Sequence, residues 1–317
     1  MARRRCAAML LAALALLAGC AAAEPAADRR AGAITQPAGR WAQQDHWLPV
    51  TEANGTVRLI LGRSCHPGGP NPGAQGARRL AVINHGKSPI AAEVAAYVPP
   101  ACESEAVRWF LERGLATFIP VRRGFGATGG TMAERYPACA PSRDYTTGSL
   151  EAARDIRAAI TYATTLPGIA PDQVVVVGQS AGGLAAIALA SQNDTRVTAL
   201  VNMAGGDGGH LNRVANAVCE PPALIRAAAR FGATARAPML WVYTANDSYF
   251  SPGLVETMHR AYTGAGGRAQ LASLPAWGND GHILFFARGG SAVWGPLVEP
   301  FLGLKPMAPA ASALRRI

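Results

Sequence analysis

In residues 174–183 (VVVVGQSAGG), four valines run into a glycine, and a serine follows two residues after that glycine. A serine hydroxyl is a weak nucleophile that needs an adjacent base and a group that orients this base. Ser180 follows an unbroken apolar run and opens the small-residue segment AGGLAAIALAS, so its G-x-S-x-G pattern lies between a predicted strand and a predicted helix. Such a turn exposes the serine oxygen above the sheet, and the helix N-terminus favours negative charge there. The stretch therefore predicts a nucleophile at Ser180.

The surroundings of Ser180 resemble those of the α/β-hydrolase family, and the resemblance covers roughly residues 55–303. In that family the chain order is serine, acid, histidine, with the acid and the histidine on loops at the carboxyl ends of late strands. His282, in WGNDGHILFF, is the histidine that follows the last predicted strand. The resemblance implies that His282 is the base.

The acid is predicted to be Asp247, which ends the predicted strand PMLWVYTAND. Its role would be to fix the tautomer of the imidazole and to stabilise the imidazolium. Asp207, after the preceding strand, is an alternative. Asp280 is a weaker one, because an aspartate two residues from His282 is poorly placed to orient the ring.

Acyl transfer also needs two backbone N–H groups for the oxyanion. Ala181, the residue after the nucleophile, is expected to supply one. Residues 85–87 (HGK) resemble the family's turn that supplies the other, which implies the N–H of Lys87; in the alternative interpretation the glycine only turns the chain. Residues 122–130 (RRGFGATGG) resemble a loop of dienelactone-hydrolase-like and dipeptidyl-peptidase-like members, with Thr128 where these relatives often have serine.

These residues require strands that end at one edge of a sheet. Apolar runs predict strands that alternate with helices, at 57–61, 80–84, 115–121, 174–178, 197–206, 238–247 and 269–275. This alternation predicts an α/β fold of the α/β-hydrolase type, with a mostly parallel central sheet flanked by helices on both faces. Residues 41–305 are interpreted as one catalytic domain, with 207–237 as a candidate lid and 306–317 as a disordered tail.

Residues 1–19 have the basic start and short apolar run of a secretory signal. The run is too short to span a bilayer. The sequence LAGC resembles a bacterial lipobox, which implies a lipid on Cys20, a flexible tether over residues 20–40 and a place on the periplasmic side of the outer membrane. The alternative is cleavage in the alanines that follow, which would release a periplasmic or secreted protein.

Export would leave four cysteines in an oxidising compartment, at positions 65, 102, 139 and 219. An even number predicts up to two disulfides, with three ways to pair them. A bond between Cys139 and Cys219 is the candidate that would pin the 207–237 segment over the pocket. No cysteine pair has the close spacing of a metal site, so neither a metal nor a cofactor is predicted.

The formal net charge of +10 falls to about +7 without the three arginines of the signal. The remaining arginines are scattered, so no nucleic-acid surface is predicted. The expected function is an exported serine hydrolase that cleaves a small-molecule ester, lactone or thioester through an acyl-enzyme, as a carboxylesterase resembling dienelactone hydrolases. True dienelactone hydrolases commonly use cysteine where this chain has Ser180. Two alternatives are a peptidase or polyester-degrading hydrolase of the same fold and a non-catalytic surface lipoprotein.

Overall fold

The computed structural model describes residues 29–69, 76–136 and 139–305. Its strands are β1 (Gly32–Ala33), β2 (Gln44–Thr51), β3 (Val57–Cys65), β4 (Arg78–Asn84), β5 (Ala116–Pro120), β6 (Ile169–Gln179), β7 (Val197–Met203), β8 (Met239–Thr244) and β9 (Ala269–Leu274). Its helices are α1 (Ala91–Ala95), α2 (Glu105–Leu111), α3 (Tyr145–Ala163), α4 (Ala181–Ala190), α5 (Pro221–Gly232), α6 (Pro252–Gly264) and α7 (Ser291–Phe301). No helix within these described ranges has the length and apolar character needed to cross a membrane.

The strands form one sheet in the order β1-β2-β3-β5-β4-β6-β7-β8-β9. The six strands from β5 to β9 in that order run parallel, whereas β1, β2 and β3 are antiparallel to their neighbours. The predicted fold class is thus confirmed. The antiparallel strand pairs at one edge extend the sheet before the first predicted strand.

The valine run of β6 faces both helical layers. Val174 and Val176 pack in a core with side chains of α3, α4, α5 and α6. Val175 and Val177 pack in a second core with side chains of α2 and α7. Successive side chains of a strand point to opposite faces, so a strand covered on both sides is apolar throughout. Ser180 follows at the carboxyl edge of this central strand.

The sheet begins earlier than the predicted domain boundary at residue 41. Gly32 and Ala33 pair with Trp47 and His46 of β2, and the guanidinium of Arg29 lies 4.2 Å from the centre of the Trp47 ring. The prediction of a tether over residues 20–40 is therefore wrong for its last part, because these residues are held on the sheet. The signal peptide, Cys20 and the predicted 306–317 tail lie outside the described residues.

The 207–237 segment is mostly not a lid. Its second half is α5, an ordinary crossover helix whose Leu224, Ala228 and Phe231 are buried in the core with α4 and α6. Residues 207–220, which precede α5, lie at the carboxyl edge of the sheet, where Asn216 N–H donates to the carbonyl of Ser248 and His210 stacks on Tyr249. The apolar side chains of α5 recur with helical periodicity and form one face that packs in the core. This is why the second half of the segment is a buried helix and not a lid.

Two disulfides are present among the described residues. One joins Cys139 to Cys219, as the sequence suggested, and the other joins Cys65 to Cys102. The hydroxyl of Tyr145 donates to the carbonyl of Cys219 at 2.5 Å. The 207–220 segment is therefore tied by the disulfide to the chain that precedes α3 and by the hydrogen bond to the first residue of α3.

Candidate active site

Ser180 alone connects β6 to α4. Its φ of 55° and ψ of −122° place it in a region that non-glycine residues rarely occupy and that stores strain. Two backbone bonds hold the turn: the N–H of Ser180 donates to the carbonyl of Met203 (3.0 Å), and the N–H of Gly206 donates to the carbonyl of Ser180 (3.1 Å). The serine is held at a sharp apex, as a nucleophile elbow requires.

The glycines around Ser180 are required by close backbone contacts. A Cβ on Gly178 would collide with the carbonyl group of Gly182. A Cβ on Gly182 would lie 2.5 Å from the carbonyl oxygen of His85 and 2.7 Å from that of Asn84. Only glycine lets the strand, the helix and the end of β4 approach this closely.

The structure brings Ser180, His282 and Asp247 together. The Nε2 atom of His282 lies 3.0 Å from Ser180 Oγ, and its Nδ1 lies 3.1 Å from each carboxylate oxygen of Asp247. All three residues are buried. A carboxylate only accepts hydrogen bonds, so Nδ1–H donates to it and Nε2 is left to accept the serine proton.

Asp247 is itself fixed by its own loop. Its Oδ1 accepts the N–H groups of Tyr249 (2.8 Å) and Phe250 (3.0 Å) in addition to the imidazole. Its side chain is fully buried. The acid therefore has a single orientation, toward His282.

The two alternative acids bind other groups. Asp207 forms an ion pair with Lys87 Nζ at 2.5 Å and a weaker contact with Arg143 at 3.4 Å. Asp280 accepts the backbone N–H of His282 at 2.9 Å, not its ring. Burial opposes the charge of Asp280, but hydrogen bonds from Ser248 and from the backbone of His282 hold its pKa below the usual value. The geometry favours Asp247 as the acid.

The predicted oxyanion donors lie beside the nucleophile. The N–H of Ala181 belongs to the first turn of α4, where it has no acceptor within the helix. Gly86 and Lys87 line the same cleft as Ser180. A Cβ on Gly86 would lie 3.0 Å from Ser180 Cβ and closer still to the side chain of Gln179. The turn after β4 therefore packs directly against the turn that carries Ser180.

The 122–130 loop holds the 85–87 turn through hydrogen bonds, a contact that the sequence pattern did not reveal. Arg122 is fully buried and donates to the carbonyl of His85 (2.7 Å) and to Glu134 (2.9 Å). Burial, reinforced by Arg122, holds the pKa of His85 well below its usual value, so the ring is neutral. Its Nε2 accepts the N–H of Arg122 at 3.3 Å. The hydroxyl of Thr128 likewise binds backbone groups: it donates to the carbonyl of Val121 and accepts the N–H of Leu61.

Ser180 opens into a cleft of about 280 Å³. Its walls carry aromatic and small side chains, including Tyr97, Pro100, Tyr249 and Phe286. The Tyr249 ring stacks on His282 with centroids 4.1 Å apart. Within the described ranges, no group of three or more His, Cys, Asp or Glu residues could hold a metal ion.

Residues 103–285 match the sequence model of the dienelactone hydrolase family, and this range is more than half of the chain. The chain belongs to the dienelactone hydrolase family. As a family member it is a hydrolase of ester bonds. The matched range includes Ser180, Asp247 and His282, whereas Lys87 lies before it.

Solved structures show the same fold at low identity. An acetyl xylan esterase from Paenibacillus sp. R4 is 17% identical with a TM-score of 0.56, over 86% of this chain and 87% of that one. A Pyrococcus furiosus esterase is 14% identical with a TM-score of 0.55, over 85% and 97%. An acylaminoacyl peptidase from Pyrococcus horikoshii is 14% identical with a TM-score of 0.59, over 86% of this chain but only 43% of that one. A search of curated proteins found no match to this family member.

Proposed function

We propose that this member of the family is a serine esterase with Ser180 as nucleophile. The observation that carries the proposal is the hydrogen-bonded series from Ser180 Oγ through His282 to Asp247, with contacts of 3.0 and 3.1 Å. A base within hydrogen-bond reach of the hydroxyl, oriented by a buried acid, is the arrangement that activates a serine.

The reaction would proceed in two acyl-transfer steps. Ser180 Oγ attacks the ester carbon while its proton moves to Nε2 of His282, and the N–H groups of Ala181 and Lys87 stabilise the oxyanion. The bond to the alcohol then breaks as Nε2 returns the proton to the leaving oxygen. Water attacks the acyl-enzyme in the same way, releasing the acid and restoring the serine.

Exposed apolar side chains support an ester with apolar groups as substrate. Of the six large apolar side chains that are exposed among the described residues, three lie within two residues of a residue that lines the cleft: Ile90, Val98 and Ile283. A cluster of exposed apolar groups around a cleft favours apolar ligands. We expect Val98→Ser to raise the KM for a medium-chain p-nitrophenyl ester several-fold, whereas Val57→Ser, at the start of β3 and outside the cleft lining, leaves it unchanged. Equal KM values in both variants would count against an apolar substrate.

Export and lipid anchoring through Cys20 are also proposed, on the signal and lipobox patterns of residues 1–20. The two disulfides support an oxidising compartment. The mass of the mature amino-terminal peptide tests the anchor: a diacylated or triacylated cysteine supports it, and an unmodified alanine start rules it out.

Kinetics of a serine pair test the proposed chemistry. Ser180→Ala should lower kcat for p-nitrophenyl butyrate by about 10³-fold or more, because no other group can form the acyl-enzyme. Ser191→Ala, at the other end of α4, is the matched control and should keep wild-type kcat. Comparable activity in the two variants would refute the nucleophile.

A further inference from the structure

Two loops carry the acid and the histidine, and three polar residues join them. Asn246 and Ser248 flank Asp247 on the loop after β8, and Asp280 lies on the loop after β9. We propose that Asn246, Ser248 and Asp280 form a loop clasp in which Asp280 is the main positioning residue, holding His282 against Asp247. The proposal rests on the proposed triad.

Asp280 binds both loops with one carboxylate. Its Oδ1 accepts the N–H of His282 (2.9 Å) and the N–H of Ser248 (3.1 Å). Its Oδ2 accepts the hydroxyl of Ser248 at 2.6 Å. Hydrogen bonds to a charged acceptor are short and strong. The backbone one residue past the acid is therefore tied to the backbone of the histidine itself.

Asn246 closes the clasp on the other side of the acid. Its amide donates to the carbonyls of Trp277 and Gly278, both at 3.1 Å, and its side-chain oxygen accepts the N–H of Trp277 at 2.8 Å. Its own carbonyl accepts the N–H of Gly281 at 3.3 Å. Both neighbours of Asp247 in the chain are thus bonded to the histidine loop, which restricts sliding of one loop past the other.

The clasp also reaches the rings around the catalytic imidazole. The hydroxyl of Ser248 donates its hydrogen bond to Asp280. Its oxygen therefore accepts a hydrogen bond from Nε2–H of His210 at 2.9 Å. His210 stacks on Tyr249 with centroids 3.9 Å apart, and Tyr249 stacks on His282 at 4.1 Å. Ser248 therefore anchors a three-ring stack that ends on the base.

The clasp matters because proton transfer depends on position. A displacement of about 1 Å in a catalytic group can cost on the order of 100-fold in rate. The acid and the base come from separate loops, and besides the clasp the side-chain amide of Gln179 holds the carbonyl of His282 at 3.1 Å. Asp280 makes no contact with the reacting atoms, so its loss should lower kcat through the misplaced imidazole and leave ground-state binding in the cleft largely intact.

Asp280→Ala and Ser248→Ala test the proposal. We expect kcat for p-nitrophenyl butyrate to fall roughly 10–100-fold in Asp280→Ala, less in Ser248→Ala, with KM within about twofold of wild type. Asp194→Ala is the matched control: Asp194 also accepts a backbone N–H and side-chain donors, from Arg196 at the opposite edge of the sheet. This control should keep wild-type kcat.

A conservative variant and a spectroscopic signal separate positioning from folding. Asp280→Asn keeps an oxygen for the two N–H groups and should recover part of the lost kcat. The downfield proton resonance of His282 Nδ1–H should be present in wild type and broadened or lost in Asp280→Ala, with an unchanged circular dichroism spectrum. If Asp280→Ala does not fold, the kcat and KM of Ser248→Ala and Asp280→Asn are compared with wild type in its place.

Two results would overturn the clasp: wild-type kcat in folded Asp280→Ala, or a change in KM alone. Failure of the clasp and failure of the proposed function are distinguishable. In the first case wild-type enzyme still depends on Ser180, whereas in the second case Ser180→Ala remains active.

Discussion

At the scale of single residues, the site depends on which acid faces the imidazole. Asp247 and Asp207 both follow central strands and both are buried. They differ in partner, because Asp247 binds His282 and Asp207 binds Lys87. Both aspartates lie between Ser180 and His282 in the chain, and the sequence favoured Asp247 because it ends the later strand at a spacing that is normal for the fold. The ion pair of Asp207, which holds the side chain beside a predicted oxyanion donor, depends on contacts between distant segments and has no local signal.

A pair of amide variants separates the two aspartates. Asp247→Asn should lower kcat by about 10³- to 10⁴-fold, because an amide favours the wrong imidazole tautomer. Asp207→Asn weakens the ion pairs with Lys87 and Arg143, neither of which involves a reacting atom, and should lower kcat less than about tenfold. Steady-state ester hydrolysis measures both. The reverse ranking would make Asp207 the acid.

At the scale of elements, the edge strands add a buried polar cluster behind the catalytic sheet. His46 of β2 lies between Ser64 of β3 and Tyr162 of α3, with ring nitrogens 2.8 and 3.1 Å from their hydroxyls. Burial lowers the pKa of His46 to about 4, and nearby Asp45 opposes this shift weakly. The sequence did not reveal this packing, since β2 contains a proline and falls outside the regular alternation of strand and helix.

The buried histidine predicts a dependence of stability on pH. In the unfolded chain His46 takes up a proton near pH 6.5, whereas in the folded protein it does so only near pH 4. The unfolded state therefore binds more protons between these values, and stability falls as pH falls through this window. The protonation of His46 should cost roughly 2–3 kcal/mol of unfolding free energy between pH 7 and pH 4.5, and His46→Gln should remove this loss. Urea unfolding at pH 7 and pH 4.5 measures it; an unchanged slope would contradict a neutral His46.

At the scale of the whole molecule, the sequence predicted the features that have a local pattern in the chain. Valines buried on both faces indicated a central strand, and three chemically distinct residues at strand ends indicated the candidate triad, whose three residues lie together in the structure. The loop clasp, the support of the oxyanion turn by Arg122 and the pairing of Cys65 with Cys102 were not predicted. Each joins segments far apart in the chain, so each requires the folded topology.

Labelling by a fluorophosphonate probe tests the central claim most directly. The probe forms a bond from phosphorus to an activated serine oxygen with loss of fluoride, so it reports the nucleophile without assuming a substrate. We predict one adduct per folded molecule, located on Ser180 by peptide mass spectrometry and absent from Ser180→Ala and from His282→Ala. A folded wild-type protein that stays unlabelled, or that carries the adduct on another residue, would contradict the account.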